Sequence, residues 1–202
     1  MKVIFLDFDG VINNWYDFDG VSLNNAKILK EIITQTDAKI VVTSSNKYSL
    51  QRSDNPSYFA SNFYRKYIKP LNELGIEIYD MTPCIEYNRT LEIQNYLYAH
   101  EVEEYVIIDD DLIGEKLQEH QVFLDLYKGL QLEHIKPVLK ILDGQLGFYP
   151  SNFNLKETPD EKLLRISKYY NSIKKNKWTE NDSLHSKLKY FLIICFSDIM
   201  SR

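Results

Sequence analysis

The chain has 202 residues, of which 44% are hydrophobic and 26% charged, with a formal net charge of −5; this composition excludes a disordered chain and fits one folded domain with a sizeable core. Two isolated cysteines, Cys84 and Cys195, imply neither a disulfide framework nor a zinc site, and they favour a reducing, cytoplasmic compartment. Met1 and Lys2 lead directly into an apolar run without a signal peptide, and the apolar run 190–196 is too short to span a bilayer, so we expect no membrane segment.

The first predicted element is a strand over residues 3–6, because Val3 to Leu6 form a continuous apolar run of the kind that is buried on both faces in a parallel sheet. The run ends in two carboxylates one residue apart, Asp7 and Asp9, followed by Gly10, which can adopt the backbone angles of a tight turn. Open α/β sheets bind ligands at such strand ends. Since two close anions without an adjacent Lys or Arg repel each other, the pattern indicates a divalent metal here.

The five residues 7–11 recur letter for letter at 17–21, but no apolar strand leads into the second copy. We therefore interpret the second copy as a loop or turn. Ser22 has the character of an N-cap, and the apolar residues that follow it at helical spacing predict a helix over residues 23–33.

Lys39 to Val42 predict a second buried strand, after which the hydroxyl side chains of Thr43 and Ser44 begin a polar segment. The elements expected after it are a loop at 51–56, a helix over 58–74 that ends at Gly75, a third strand over 76–79 and a helix over 89–99.

The fourth predicted strand, Tyr105 to Ile108, is apolar throughout and ends in Asp109, Asp110 and Asp111. The elements expected after it are a fifth strand over 121–126, a helix over 132–142 that is interrupted or bent near Pro137, and helices over 160–177 and 183–200. The alternation of strands and helices predicts a three-layer α/β domain with a parallel sheet over residues 1–150, and a helical appendage packed on it over residues 151–202.

Three predicted strands end in polar clusters of different kinds. Because parallel strands share one C-terminal edge, we expect Asp7 and Asp9, Thr43 and Ser44, and the acidic residues 109–111 to converge there. One carboxylate of the first pair can attack a phosphorus atom to give an aspartyl-phosphate, and the second can protonate the leaving oxygen and later deprotonate water. A hydroxyl of Thr43 or Ser44 can hold a phosphoryl oxygen, and the acidic cluster can complete an oxygen shell for Mg²⁺.

A fixed cation would complete this site by balancing the charges of the phosphate and the nucleophile. Arg89, at the start of the helix before the fourth strand, is the best-placed candidate, and Lys47 and Arg52 are the alternatives.

In chain order, Asp7-x-Asp9-Gly10-Val11, Val42-Thr43-Ser44, a basic residue that opens a helix, and Ile108-Asp109-Asp110 resemble the motifs of the haloacid dehalogenase (HAD) superfamily of phosphohydrolases, over about residues 3–143. The resemblance implies a Rossmann-like sheet, Mg²⁺, Asp7 as nucleophile and Asp9 as general acid and base. The predicted metal ligands are Asp7, Asp9, Asp109 and Asp110. An Asp at position 9 points to the phosphatase branch, because dehalogenases have no leaving oxygen to protonate.

A second group of residues is similar to the phosphatase-like domain of multidomain RNA-repair proteins. It consists of Arg89-x-x-Glu92-Ile93-x-x-Tyr96-Leu97, the strand end at 109–111 and Lys128-Gly129-Leu130. The chain departs from that pattern after Ser45, where Asn46-Lys47 replaces a Trp-Arg pair, so the likeness bears on the reaction more than on the substrate.

Members of the superfamily select substrates largely through inserted cap domains, and this chain has little room for one. Residues 10–21 allow only a short flap, and residues 46–88 allow a helix, a strand and a loop but no independent cap. An uncapped site can accept a phosphate on a macromolecule, either a nucleic-acid end or a protein side chain. The flap also carries aromatic residues that could stack on a base, namely Trp15, Tyr16 and Phe18.

Three alternatives stay open at this point. Free nucleotides or other small phosphates, and phosphoproteins, compete with nucleic-acid ends as substrates, and a receiver-like module that binds phosphate without turnover competes with an enzyme.

Residues 165–178 combine five basic and three aromatic side chains, which fits either a nucleic-acid-binding face or a solvated helix. The net charge differs between the two parts of the chain. Residues 1–155 hold fourteen Lys and Arg against twenty-three Asp and Glu, a net charge of −9, and residues 156–202 hold ten against six, a net charge of +4.

Overall fold

The computed structural model describes residues 1–14, 20–51, 56–147 and 149–150. The flap aromatics, most of the second Asp-Phe-Asp-Gly-Val copy, Arg52 and the predicted C-terminal appendage lie outside these residues, so the interpretations that concern them stay predictions. Within the described residues, no helix is long and apolar enough to cross a membrane.

In the described part of the chain, six strands form one sheet in which every neighbouring pair is parallel. They are β1 (Lys2–Leu6), β2 (Lys39–Val42), β3 (Ile78–Met81), β4 (Glu104–Asp109), β5 (Gln121–Phe123) and β6 (Tyr149–Pro150), in the spatial order β3-β2-β1-β4-β5-β6. This is the strand order of a Rossmann-like fold, so the predicted parallel sheet is confirmed.

The helices of the described residues are α1 (Leu23–Thr36), α2 (Pro56–Phe63), α3 (Lys69–Glu73), α4 (Arg89–Ala99) and α5 (Ile135–Leu142). One π-helical turn, Tyr64–Ile68, joins α2 to α3, and 3₁₀ turns cover Ser45–Gln51, Glu115–His120 and Leu132–His134. The predicted helix over 132–142 is interrupted near Pro137, as expected, because it is divided into the 3₁₀ turn Leu132–His134 and α5. Pro137 itself is the third residue of α5, where a backbone N–H has no acceptor within the α-helix.

Both faces of the sheet are covered, which gives three layers. On one face, Ile4 and Leu6 of β1 pack with side chains of α1, α5 and the segment from α2 to α3. On the other face, Val3 and Phe5 pack with side chains of α4 and of the 3₁₀ turn at 115–120. Successive residues of a strand point to opposite faces, so the buried part of β1, Val3 to Leu6, must be apolar at every position, as its sequence is.

The segment between β2 and α4 belongs to the body of the domain. Phe63, Tyr67 and Leu71, from α2 to α3, are buried in the core cluster of the first face, and β3 pairs with β2. The described part of this segment therefore forms no independent cap, in agreement with the prediction.

The order of the strands makes the C-terminal end of β1 the natural ligand position. The chain passes from β1 to β2 on one side and later to β4 on the other, so the connections diverge from β1. Ligands of open α/β sheets bind in the crevice at such a switch point. Asp7 is the first residue beyond β1.

Candidate active site

The three polar strand ends are brought together by the sheet itself. Backbone hydrogen bonds continue past the strands, since the amide of Asp7 donates to the carbonyl of Ile108 (3.1 Å) and the amide of Thr43 donates to the carbonyl of Leu6 (2.9 Å). Asp7 therefore lies between the residues that follow β2 and those that end β4.

Arg89 connects two of these strand ends. Its Nη1 donates to Oδ2 of Asp7 (3.2 Å) and also to Oδ2 of Asp109. Arg89 is the first residue of α4, and the side chain of Asn88 caps that helix by accepting a hydrogen bond from the amide of Leu91 (3.1 Å). Burial lowers the pKa of Arg89, but the charges of Asp109 and Asp7 outweigh it and hold the pKa above its ordinary value, so the guanidinium is cationic.

A third carboxylate, that of Asp110, lies beside the two that contact Arg89. Oxygens of Asp7, Asp109 and Asp110 all lie within 4.8 Å of one another, and Asp7 and Asp109 are buried. Burial raises the pKa of all three carboxyls. Repulsion from Asp9 adds to the effect at Asp7, and repulsion from Asp7 and Asp111 adds to it at Asp109 and Asp110; the pKa of Asp109 rises to about 7. The fourth predicted ligand, Asp9, is not part of this group.

Gly10 is required by the approach of Asp110. A Cβ at this position would lie 2.5 Å from Cγ of Asp110, and the backbone of Gly10 has a φ of +77°, which L-residues with a side chain rarely adopt. A larger residue would push the Asp110 carboxylate out of the cluster.

Two buried polar atoms of the site have no hydrogen-bond partner among the residues that the structure describes. They are Oδ1 of Asp7 and Oγ1 of Thr43. Buried polar atoms are normally satisfied, so each such atom requires an explanation. A cation beside Asp7 and an anionic oxygen beside Thr43 would satisfy both, and an all-oxygen donor set of carboxylates suits Mg²⁺.

Asp9 has a different environment, which consists of three hydrogen-bond donors. Its Oδ1 accepts from Nδ2 of Asn13 (2.7 Å) and from the hydroxyl of Tyr67 (3.1 Å), and its Oδ2 accepts from Nδ2 of Asn46 (2.8 Å). Asn13 also accepts from the amide of Gly10 (2.9 Å), and Asn46 donates to Oγ of Ser44 (3.2 Å). The carboxylate of Asp9 is thereby fixed beside Asp7.

None of these three donors was predicted from the sequence. The spacing of Asn13 and Asn46 gave a weak signal, because both follow a polar strand end within a few residues. Tyr67 gave none, because its ring is part of the apolar face of a helical segment and only the fold carries its hydroxyl to Asp9.

Lys47 does not contact the carboxylate cluster in the hydrogen bonds and ion pairs of the described residues. Its Nζ lies 2.5 Å from Oε2 of Glu92 on α4 and donates to the carbonyl of Thr43 (3.3 Å), and both side chains are only 2% exposed. Of the three basic candidates, Arg89 is the one that contacts Asp7, Lys47 forms a buried ion pair, and Arg52 lies outside the described residues.

Comparison with known proteins gives one match. The family model for the HAD domain in Swiss Army Knife RNA repair proteins matches residues 3–135, which include all of these site residues. No curated protein and no solved structure matches the chain.

Proposed function

Because the chain belongs to the family of HAD domains in Swiss Army Knife RNA repair proteins, we propose that it is a Mg²⁺-dependent phosphomonoesterase that works through an aspartyl-phosphate. The observation that carries the proposal is the contact of Arg89 with both Asp7 and Asp109 at the switch point of the sheet. It provides a carboxylate nucleophile and a fixed cation for the phosphate at one position.

In the first half of the reaction, a carboxylate oxygen of Asp7 forms a bond to phosphorus while the bond between phosphorus and the leaving oxygen breaks. Asp9 gives its proton to that oxygen, and the product alcohol departs. In the second half, Asp9 takes a proton from a water molecule, whose oxygen attacks phosphorus and releases inorganic phosphate from Asp7. Arg89 and the hydroxyls of Thr43 and Ser44 bind the phosphoryl oxygens throughout.

We assign the Mg²⁺ ligands to Asp7, Asp109 and Asp110. Bound there, the ion would offset the repulsion of the three carboxylates and of the incoming phosphate. Asp9 was also predicted as a ligand. Its carboxylate oxygens already accept three hydrogen bonds, from Asn13, Asn46 and Tyr67, so they are less available to a metal ion.

For the substrate, we propose a phosphorylated nucleic-acid end. The family description and the lack of an independent cap in the described part of residues 46–88 support a macromolecular phosphate. Small phosphates and phosphoproteins are the competing classes, and a cytoplasmic location is inferred from the cysteine pattern alone.

We expect the purified protein to release phosphate continuously from p-nitrophenyl phosphate in the presence of Mg²⁺, to lose this activity in EDTA and to regain it when Mg²⁺ is added back. Mg²⁺ should also raise the melting temperature of the wild type, because it binds the folded carboxylate cluster, and should do so less for Asp109→Asn. A receiver-like module would instead take up about one phosphate per chain and stop.

The same assay, run on a panel, tests the substrate class. The panel contains oligonucleotides with a 5′- or 3′-phosphate, nucleoside monophosphates, a sugar phosphate and a phosphopeptide, and kcat/KM is measured for each. Oligonucleotide ends should have the highest kcat/KM. A preference for the sugar phosphate would contradict the nucleic-acid assignment while leaving the phosphatase reaction intact.

The donors around Asp9 give a prediction of their own. Tyr67→Phe removes one donor without changing the packing of the ring, and we expect kcat/KM for an alkyl phosphate to fall about 10-fold, the size expected for a hydrogen bond to a charged group. The kcat/KM for p-nitrophenyl phosphate, which reports the steps up to departure of the leaving group, should change little, because nitrophenolate can leave without a proton. An equal loss of kcat/KM on both substrates would assign Tyr67 a purely structural role.

Tyr64→Phe is the matched control for this experiment. Tyr64 begins the same π-helical turn, and its side chain is exposed. Its kcat/KM values should equal those of the wild type on both substrates.

A further inference from the structure

The turn before Arg89 holds an aromatic ring at the surface in a strained backbone. Tyr87 is 64% exposed, and Glu86 and Tyr87 have φ values of 49° and 54°. Two consecutive residues with side chains in the left-handed region are costly, and such strain persists only where the surroundings enforce it.

Contacts with Tyr48 hold Tyr87 in this backbone conformation. Its ring stacks on that of Tyr48, with 3.9 Å between centroids and 12° between planes, and its amide donates to the hydroxyl of Tyr48 (2.7 Å). The hydroxyl of Tyr48 in turn donates to Oε1 of Glu92, which also accepts from the amide of Ile85 (3.2 Å). The two rings are therefore fixed before any ligand arrives.

The rings of Tyr87 and Tyr48 lie at the N-terminal end of α4, which also carries Arg89, the cation proposed to bind the phosphate. Tyr87 is two residues before Arg89, so their Cα atoms are separated by at most about 7 Å. Glu92, which anchors Tyr48, lies one turn after Arg89 on α4. Tyr87 is thus the exposed aromatic residue nearest along the chain to the cation that would hold the phosphate.

We infer that Tyr87, supported by Tyr48, is a stacking platform for the nucleobase adjacent to the terminal phosphate of a nucleic-acid strand. The inference rests on the proposed function and names the part of the substrate that the site would recognise beyond the phosphate. A flat, uncharged and rigid ring matches the face of a base, and stacking of this kind tolerates any base sequence. Since the rings are already ordered, little conformational freedom is lost on binding.

The test uses two oligonucleotides with the same phosphorylated end, one with a base at the terminal nucleotide and one abasic there. For the wild type, kcat/KM should be higher for the substrate with the base. In Tyr87→Ala this advantage should fall about 10-fold, which is within the range measured for base–aromatic stacking, while kcat/KM for the abasic substrate stays unchanged. Tyr87→Phe should keep the advantage, because it keeps the ring.

Tyr98→Ala is the control, since Tyr98 lies near the other end of α4 and is 94% exposed. It should not affect either substrate. The inference is overturned if Tyr87→Ala leaves the advantage intact, or if it lowers kcat/KM equally for both substrates, which would make the turn a support for Arg89 alone. Failure of the wild type to hydrolyse either oligonucleotide or p-nitrophenyl phosphate would instead overturn the proposed function.

Discussion

Asp7→Asn is expected to abolish phosphate release, with a loss of at least about 10³-fold in kcat, because removal of a covalent nucleophile leaves only the contribution of substrate binding and charge stabilisation. The amide has the shape of the carboxylate and can still accept a hydrogen bond from Arg89, but it cannot form the aspartyl-phosphate. The measurement is single- and multiple-turnover phosphate release with p-nitrophenyl phosphate and saturating Mg²⁺.

The fold should survive this substitution. The pKa of Asp7 is raised mainly by its burial, so the charged form is disfavoured there, and the loss of one carboxylate also reduces repulsion with its acidic neighbours. We therefore expect the circular dichroism spectrum of Asp7→Asn to match the wild type and its melting temperature to change little.

Asp143→Asn serves as the control carboxylate. Asp143 is exposed and pairs with Lys2 (3.0 Å), at the opposite end of β1 from Asp7. This variant should keep full activity. Turnover of Asp7→Asn at the wild-type rate would contradict the proposed mechanism.

The convergence of the polar strand ends could be predicted because it depends on two rules that can be applied to the sequence alone. An apolar run that stops at a charged residue marks the end of a buried strand, and parallel strands share one edge. These two rules predict that Asp7, Thr43 and Asp109 converge, and the bounds of β2 match the prediction residue for residue. The roles of these residues in the reaction remain proposals.

The third strand was predicted to begin at Ile76 but begins at Ile78, because Ile76 belongs to the C-terminal cap of the preceding helix. The amide of Ile76 donates to the carbonyl of Leu71 (2.9 Å), and Gly75 takes the left-handed conformation that closes a helix. Ile76 is fully buried, as its apolar side chain suggested, but it ends the helix and does not begin the strand. Apolar character cannot separate these two uses of a residue.

The fifth strand is shorter than predicted because a turn begins at Asp125. Oδ1 of Asp125 accepts from the amide of Tyr127 (3.0 Å), and its carbonyl accepts from the amides of Lys128 and Gly129 (2.9 Å each). An Asp side chain that competes for backbone donors favours a turn over a strand. The apolar residues on either side of Asp125 made residues 121–126 resemble one continuous strand.

The Asn46-Lys47 pair illustrates a further limit, since the sequence places the two residues side by side and the fold separates their functions. Asn46 contacts Asp9, whereas Lys47 turns into the interior and pairs with Glu92. That pair links the chain after β2 to α4, which carries Arg89. Its partners, 45 residues apart, could not be matched from the sequence.

Lys47→Met should therefore reduce the free energy of unfolding strongly, by about 3–5 kcal/mol, because it leaves the carboxylate of Glu92 buried without its counter-charge. Glu92→Gln should be destabilising too, since it leaves the buried ammonium of Lys47 with the carbonyl of Thr43 as its remaining acceptor among the described hydrogen bonds. The double variant removes both charges and should be more stable than the sum of the two losses predicts, by about 1.5 kcal/mol or more. Urea unfolding of the wild type and the three variants measures this coupling.

The exposed ion pair of Lys69 and Glu73 provides the comparison. Its atoms are 3.8 Å apart, one turn apart on the helix, and its side chains are 59% and 65% exposed. Lys69→Met should change the free energy of unfolding by no more than about 0.5 kcal/mol, because water screens such a pair. If Lys47→Met costs as little as Lys69→Met, the pair with Glu92 does not hold α4 in position, and the placement of Arg89 must depend on the cap at Asn88 and its contacts with Asp7 and Asp109 instead.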